Sequence, residues 1–251
     1  MITGAAKNTG WATAQRFAQE GYDVIITSRK KEEAQAAAEK LMEEYPQQKA
    51  WGVKMGMDTV AAIREGFQQV AGITSRLDVF VANAASLGVG VDIFTATEET
   101  YDAVMNVNAK GTFFCCQEAI KLMGEGSAIC LISSIQSKKA VTGRTVYSSS
   151  KGAMNALMRS LALELAYLGI RVNAIIAGAI HSERWDNQPE ELTALRRSRY
   201  PSGREAMPEE IAAGVYYLCS DQAFPVTGVE LSIDSGLQVC ALPYDKEWRN
   251  K

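Results

Sequence analysis

Along the chain, short runs of apolar and β-branched residues alternate with longer stretches whose apolar positions recur every three or four residues. The run at 22–28 (YDVIITS) precedes KKEEAQAAAEKLMEEY, and the run at 51–55 (WGVKM) precedes DTVAAIREGFQQV. LDVFVAN at 77–83 precedes a helical stretch near 97–123, SAICLISS at 127–134 precedes one near 147–168, and IRVNAIIAG at 170–178 follows it. Strand-length runs this apolar have no polar face, so they predict strands buried on both sides, each joined to the next by a helix. The fold expected is α/β: a doubly wound parallel sheet between two layers of helices. No segment is rich enough in Pro, Gly or Ser to act as a linker and no period repeats, so residues 1–251 read as one domain. The longest segment without a strand pattern is 179–207, which follows a strand end; ligands of such sheets sit beyond the carboxyl ends of the strands, so it is the expected substrate-binding loop.

Composition narrows the chemistry. Of 251 residues 47% are hydrophobic and 22% charged, with a net charge of -3, so no general attraction to nucleic acid or an anionic membrane is built in. The single histidine, His181, is too little for multi-histidine metal sites, and any Ser-His-Asp hydrolysis would hang on it alone; no metal site is expected. The five cysteines are odd in number and contain no CxxC pair, which disfavours a disulfide framework or a zinc knuckle, and Cys115-Cys116 reads as core filling on a helix. No apolar signal-type region opens the chain and no run of about 18 apolar residues occurs, so a cytoplasmic location is expected.

The segment Thr3-Gly4-Ala5-Ala6-Lys7-Asn8-Thr9-Gly10 leads into a helix expected from about Trp11 through Ala18. Small residues there let the backbone approach a pyrophosphate at a helix N-terminus, although two glycines six apart also make a plain turn. The next strand ends in Thr27-Ser28-Arg29-Lys30, with no acid from 26 to 31. A dinucleotide fold places here the residue that meets the adenosine ribose: an acid favours NAD, whereas an Arg can hold the 2'-phosphate of NADP. Arg29, joined by Lys7, therefore points to NADP rather than NAD; the bland reading is two solvated charges.

Tyr147-Ser148-Ser149-Ser150-Lys151 puts a phenol and an ammonium one helical turn apart. With nine Tyr and 13 Lys in the chain, chance alone supplies about half of one such pair, and Tyr45 with Lys49 is a second, disfavoured as a helix by Pro46. Context separates them: Tyr147 lies thirteen residues beyond Ser134 at the end of an expected strand. Here the chain resembles the short-chain dehydrogenase/reductase family, from Thr3 to about Val239. Further landmarks are Leu77-Asp78, Val107-Asn108-Ala109-Lys110-Gly111, Gly203-Arg204, Pro208-Glu209-Glu210-Ile211, Thr227-Gly228 and Asp234-Ser235-Gly236. Departures are Asn8 for the middle glycine of the turn, Ala82-Asn83-Ala84-Ala85 after the fourth strand and Ala177-Gly178 after the sixth; Asn is the replacement that best tolerates positive φ.

The resemblance implies a single-domain Rossmann-type fold and a catalytic set of Asn108, Ser134, Tyr147 and Lys151. In that scheme Tyr147 exchanges a proton with the substrate oxygen, Ser134 bonds that oxygen, Lys151 favours the phenolate and holds the nicotinamide ribose, and Asn108 keeps a water relay to Lys151. A free tyrosine, with a pKa near 10, needs such a cation to serve as a base. The cofactor positions implied are Thr3, Gly4, Lys7, Asn8, Gly10, Arg29, Asn83, Ala84, Tyr147, Lys151, Gly178, Ile180 and Ser182. The activity expected is NADP-dependent interconversion of a secondary alcohol and a ketone, by a homo-oligomer, tetramer or dimer, built on the helices near 97–123 and 147–168. The substrate class stays open among a 3-oxoacyl thioester, a sugar or polyol, and a hydroxysteroid; a non-catalytic dinucleotide sensor on the same fold is the alternative outside enzymes. His181 reads as a bystander, and Arg196, Arg197 and Arg199 as a solvated helix face sooner than an anion site. The tail from Leu237, with Leu242, Tyr244 and Trp248, is long enough to cover a site or reach a neighbour. Only Met1 and Ile2 precede the turn where a buried strand ordinarily takes about five to six residues, so a truncated first strand is expected, with the natural product starting further upstream.

Overall fold

The computed structural model describes residues 1–241; Leu242, Tyr244 and Trp248 lie outside the described residues. In chain order the elements are α1 (Asn8–Gln19), β1 (Val24–Ser28), α2 (Lys31–Glu44), β2 (Ala50–Lys54), α3 (Val60–Ile73), β3 (Val79–Ala82), α4 (Glu98–Met105), α5 (Thr112–Ile120), β4 (Ala128–Ser134), α6 (Thr145–Glu164), β5 (Arg171–Ala177), α7 (Glu190–Arg197), α8 (Pro208–Cys219) and β6 (Glu230–Ile233). All strand pairings are parallel, with β1 on β2 and β3-β4-β5-β6 side by side. Ile2 bridges the two groups, pairing with Ile26 on one side and Val81 on the other. Its N–H donates to Ile25 O (2.9 Å), its carbonyl accepts from Thr27 N (3.1 Å), and the flanking Met1 O and Thr3 N bond Val81. Three residues thus hold the strand position at the centre of the sheet, and a groove of about 580 Å³ opens beside them at the amino ends of β1 and β3.

Every residue of β1, β3, β4 and β5 is buried, as strands covered on both faces must be. On one face β1, β3 and β4 pack Ile26, Val81 and Cys130 against Phe17 of α1, Leu41 of α2 and Val215 of α8. On the other, Phe80, Ile129 and Leu131 meet Ile63 and Phe67 of α3, Cys115 of α5, and Met154 and Met158 of α6. Burial pushes the Cys116 thiol up to about 12, as befits core filling.

Two local departures from periodicity bear on the site. The helix expected near 97–123 is broken by a π-helical turn over Asn106–Gly111 between α4 and α5, and such turns re-aim side chains without ending a helix. The 179–207 segment carries α7 and a 3-10 turn at Glu183–Trp185, and a bridge between Ile180 and Ala206 closes its base. Helix α1 begins at Asn8, three residues before the expected start.

Candidate active site

The register of the sheet assembles the site. Ser134 pairs with Ala177, so the end of β4 and the Gly178 that follows β5 lie side by side, on the same carboxyl edge as Ser28 and Asn83. Residues far apart in sequence meet here because strand ends of a parallel sheet share one edge.

The glycine turn is tied to the end of β3. Thr3 Oγ1 accepts from the backbone N–H of Asn83 and of Ala84 (both 3.0 Å), while Asn83 Nδ2 donates to Thr3 O (2.9 Å) and Gly4 O (3.1 Å). Asn8 adopts φ 52°, the left-handed region that the replacement of glycine by asparagine tolerates. Gly10 is required by contact: a Cβ there would stand 2.6 Å from Asn83 Nδ2 and 2.7 Å from Ala5 Cα. Lys7 and Arg29 are both exposed at this corner. An acid comes to the strand end after all, since Glu33 on the first turn of α2 accepts from Ser28 Oγ (2.8 Å) and pairs with Lys30 (3.3 Å). Those two partners hold its carboxyl below the usual carboxylate range.

Tyr147 and Lys151 occupy the first two turns of α6, both buried. Burial pushes the Tyr147 pKa up, while the neighbouring Ser134 side chain and the Arg144 charge pull the other way. Lys151 Nζ donates to Ile132 O (2.7 Å) and lies 5.7 Å from the Tyr147 ring centroid. Burial lowers its pKa to about 7. Asn108, fully buried on the π-helical turn, accepts from Ser86 N (2.7 Å) and donates to Ser86 O and Ser150 Oγ (both 2.9 Å). It thus clamps the segment after β3 onto α6 through Ser86 and Ser150. The pair Tyr45 and Lys49 is split by the end of α2, at which Tyr45 stands.

Gly178, Ile180 and Ser182 follow β5 at the same edge, with Gly178 N on Ile233 O (3.0 Å). Ser182 Oγ is buried without a hydrogen-bond partner among the described residues. Two of the three clustered arginines are not simply solvated: Arg196 and Arg197 both bond Glu205, whose side chain is 1% exposed, and Arg196 stacks on Trp185 at 4.3 Å, while Arg199 is exposed. His181 joins the same knot, its Nδ1 3.2 Å from Glu205 and its Nε2 2.8 Å from Asp186.

Three side chains at the site went unread in the sequence. Ser150 anchors Asn108. Gln136, whose backbone N–H donates to Ser134 Oγ, keeps its Oε1 buried without a partner among the described residues. Arg144 sets its guanidinium carbon 5.8 Å from the Tyr147 ring centroid and donates to Leu87 O (2.7 Å). Its signal was present, three residues before Tyr147 and so one helical turn away.

A nicotinamide dinucleotide fits this edge: a glycine turn too tight for a Cβ stands at one end, and the orphaned Ser182 hydroxyl at the other. Comparison with known proteins agrees. The family model described as Enoyl-(Acyl carrier protein) reductase matches residues 4–238. The chain is 35% identical over 243 residues to the 3-oxoacyl-[acyl-carrier-protein] reductase FabG of Thermotoga maritima, covering 95% of this chain and 97% of the relative. It is 32% identical over 243 residues to the (2S)-[(R)-hydroxy(phenyl)methyl]succinyl-CoA dehydrogenase subunit BbsD of Thauera aromatica, covering 96% of each. A crystal structure of a short chain dehydrogenase from Burkholderia cenocepacia in complex with NADP superposes with a TM-score of 0.85 at 28% identity, over 94% of this chain and 96% of that one. The chain belongs to the short-chain dehydrogenase/reductase family and is an NAD(P)-dependent oxidoreductase.

Proposed function

We propose that the protein interconverts a secondary alcohol and a ketone with NADP, using Tyr147 as general acid and base. The observation that carries the reading is the Tyr147 phenol buried one turn from Lys151, whose Nζ lies 5.7 Å from its ring, on the helix that follows the Ser134 strand end where the cofactor fits. When bound, the nicotinamide supplies or accepts the hydride. Ser134 and Tyr147 hydrogen-bond the substrate oxygen, and in ketone reduction Tyr147 donates its proton to that oxygen. Lys151, whose ammonium donates to Ile132 O in this structure, would hold the nicotinamide ribose and favour the phenolate left behind. Asn108 acts through Ser150, fixing the first turns of α6. Thr3, Gly4, Lys7, Asn8 and Gly10 at the glycine turn would hold the pyrophosphate, and Asn83, Ala84, Gly178, Ile180 and Ser182 along the same edge would hold the rest of the cofactor. Arg29 and Lys7 support NADP over NAD, with Glu33 as the opposing charge.

The complete acid–base set favours an enzyme over a dinucleotide sensor, which has no use for a proton relay. Relatives are named for acyl-carrier-protein and CoA thioesters, for glucose and for a 3alpha-hydroxysteroid alike, so they favour no one of these substrate classes over the others. Exposed Phe113 on α5, and Leu163 on α6 with Tyr167 just beyond it, support a homo-oligomer built on these helices, and the odd number of cysteines with no CxxC pair supports a cytoplasmic setting.

The test is NADPH oxidation with a panel of ketones, beside NADH and the Tyr147→Phe variant. Turnover with NADPH preferred is expected, falling at least about 10²-fold in the variant with NADPH affinity kept. Tighter binding of NADH than NADPH overturns the cofactor choice, and near-normal turnover in the variant overturns the role of Tyr147.

A further inference from the structure

Arg144 stands where a charge is least expected to be left without an acidic partner. It caps α6 at the mouth of the site, half-buried, with its guanidinium over the face of Tyr147. One N–H is spent on Leu87 O. Arg16, Arg64, Arg76, Arg159, Arg196, Arg197 and Arg204 each pair with a carboxylate, and the buried Arg171 spends its donors on three backbone carbonyls; Arg144, like the exposed Arg29 and Arg199, has no carboxylate among the described residues within ion-pair distance, and it alone of these three stands over Tyr147. Asp92, the acid in the segment that Arg144 tethers, is committed to Phe94 N, Thr95 N and Thr95 Oγ1. A permanently charged planar fork with donors to spare is the group best suited to a carboxylate, which it meets through paired hydrogen bonds.

The tethered segment adds a second property. Leu87, Val89, Ile93 and Phe94 are all exposed, Phe94 at 93%. Exposed apolar side chains gathered on one segment mark a surface that receives something apolar. Tied to Arg144 through Leu87, they put an apolar lip beside a cation at the same mouth.

We infer that Arg144 makes this a site for carboxylate-bearing substrates: hydroxy and oxo acids with an apolar substituent, the carboxylate held by Arg144 while the reacting carbon faces Tyr147 and Ser134. The inference rests on the oxidoreductase reading above and narrows its substrate class. A guanidinium over the phenol also steadies the phenolate, and the Leu87 bond also steadies the loop. Both of those effects act on every substrate alike, whereas carboxylate recognition acts only on acids.

The experiment therefore measures a ratio. A series of 2-, 3- and 4-hydroxy acids with an apolar chain, each beside its methyl ester, is oxidised with NADP by the wild-type protein, Arg144→Gln and Arg144→Lys. Glutamine keeps an N–H donor for Leu87 O and removes the charge; lysine keeps the charge. For at least one spacing the wild type is expected to favour acid over ester in kcat/KM by at least about tenfold, the worth of a hydrogen bond between charged groups. The ratio should collapse toward one in Arg144→Gln, through KM for the acid, and recover most of its value in Arg144→Lys. Equal use of acid and ester by the wild type, or an unchanged ratio in Arg144→Gln, overturns the inference. Calorimetric binding of the same pairs to the NADPH complex reads the recognition without turnover. Acid binding lost in Arg144→Gln sustains the carboxylate site even where no alcohol is oxidised, an outcome that would count against the oxidoreductase reading alone. Absence of acid binding in the wild type sinks the carboxylate site.

Discussion

Burial governs how Lys151 behaves. An ammonium 2% exposed, with a backbone carbonyl for its partner, loses hydration that one hydrogen bond does not restore, and its pKa falls to about 7. A lysine whose folded pKa lies below its unfolded value binds fewer protons in the folded state between about 7 and 10.5, so its burial penalises folding most at neutral pH and below, and the penalty fades as pH rises through that window. Lys151→Met should therefore leave the cofactor-free protein at least as stable at pH 7 while turnover falls by at least about 10². Denaturant unfolding at pH 7 and pH 9.5 checks the first part: the stability advantage of the variant should shrink at the higher pH, and a variant less stable at pH 7 would show that the lysine supports the fold. At this scale the sequence was informative for residues sharing an element, such as Tyr147 and Lys151. The buried, partnerless oxygen of Gln136 had no sequence signal, because its isolation depends on what surrounds it.

At the scale of elements, the 179–207 segment owes its order to one carboxylate. Burial opposes the charge of Glu205, yet Arg197, its own backbone N–H and His181 hold its pKa at about 2. The folded value lies below the ordinary carboxylate value of 4.5, so the stabilisation is in full force above about pH 4.5 and is lost as pH falls toward 2. Glu205→Gln should lower stability at neutral pH and loosen the segment, read as faster proteolytic cleavage between 183 and 204. The gap from the wild type should narrow as pH drops through that window; a constant gap would mean that packing, not charge, anchors the loop. The sequence marked this segment as the substrate loop and its arginines as a surface cluster. Glu205 lies eight or more residues from Arg196, Arg197 and His181, and only the bridge of Ile180 to Ala206 brings the two ends together. The π-helical turn was equally hidden, since one extra residue barely alters the apolar period of 97–123 while turning Asn108 onto Ser86 and Ser150.

For the whole molecule, the junction at Ile2 decides whether two groups of strands act as one sheet. Its side chain is 2% exposed and its backbone bonds β1, while its neighbours bond β3. Ile2→Ala leaves those bonds and removes the packing, at an expected cost of about 2–5 kcal/mol in urea unfolding; a loss below about 1 kcal/mol would mean that the backbone bridge alone carries the junction. The sequence by itself determined the α/β architecture, because fully apolar strands separated by amphipathic helices have no other way to bury both faces. It also offered Ser134, Tyr147 and Lys151 as the candidate set, through a family resemblance whose spacings lie within a strand-to-helix unit. Only the tertiary structure decided which groups face one another across that edge. It folded Glu33 back onto Ser28, locked Arg196 and Arg197 onto Glu205, and left Arg144 facing the phenol with no acid beside it. Such pairings depend on strand register and on long-range burial, and periodicity along the chain carries neither.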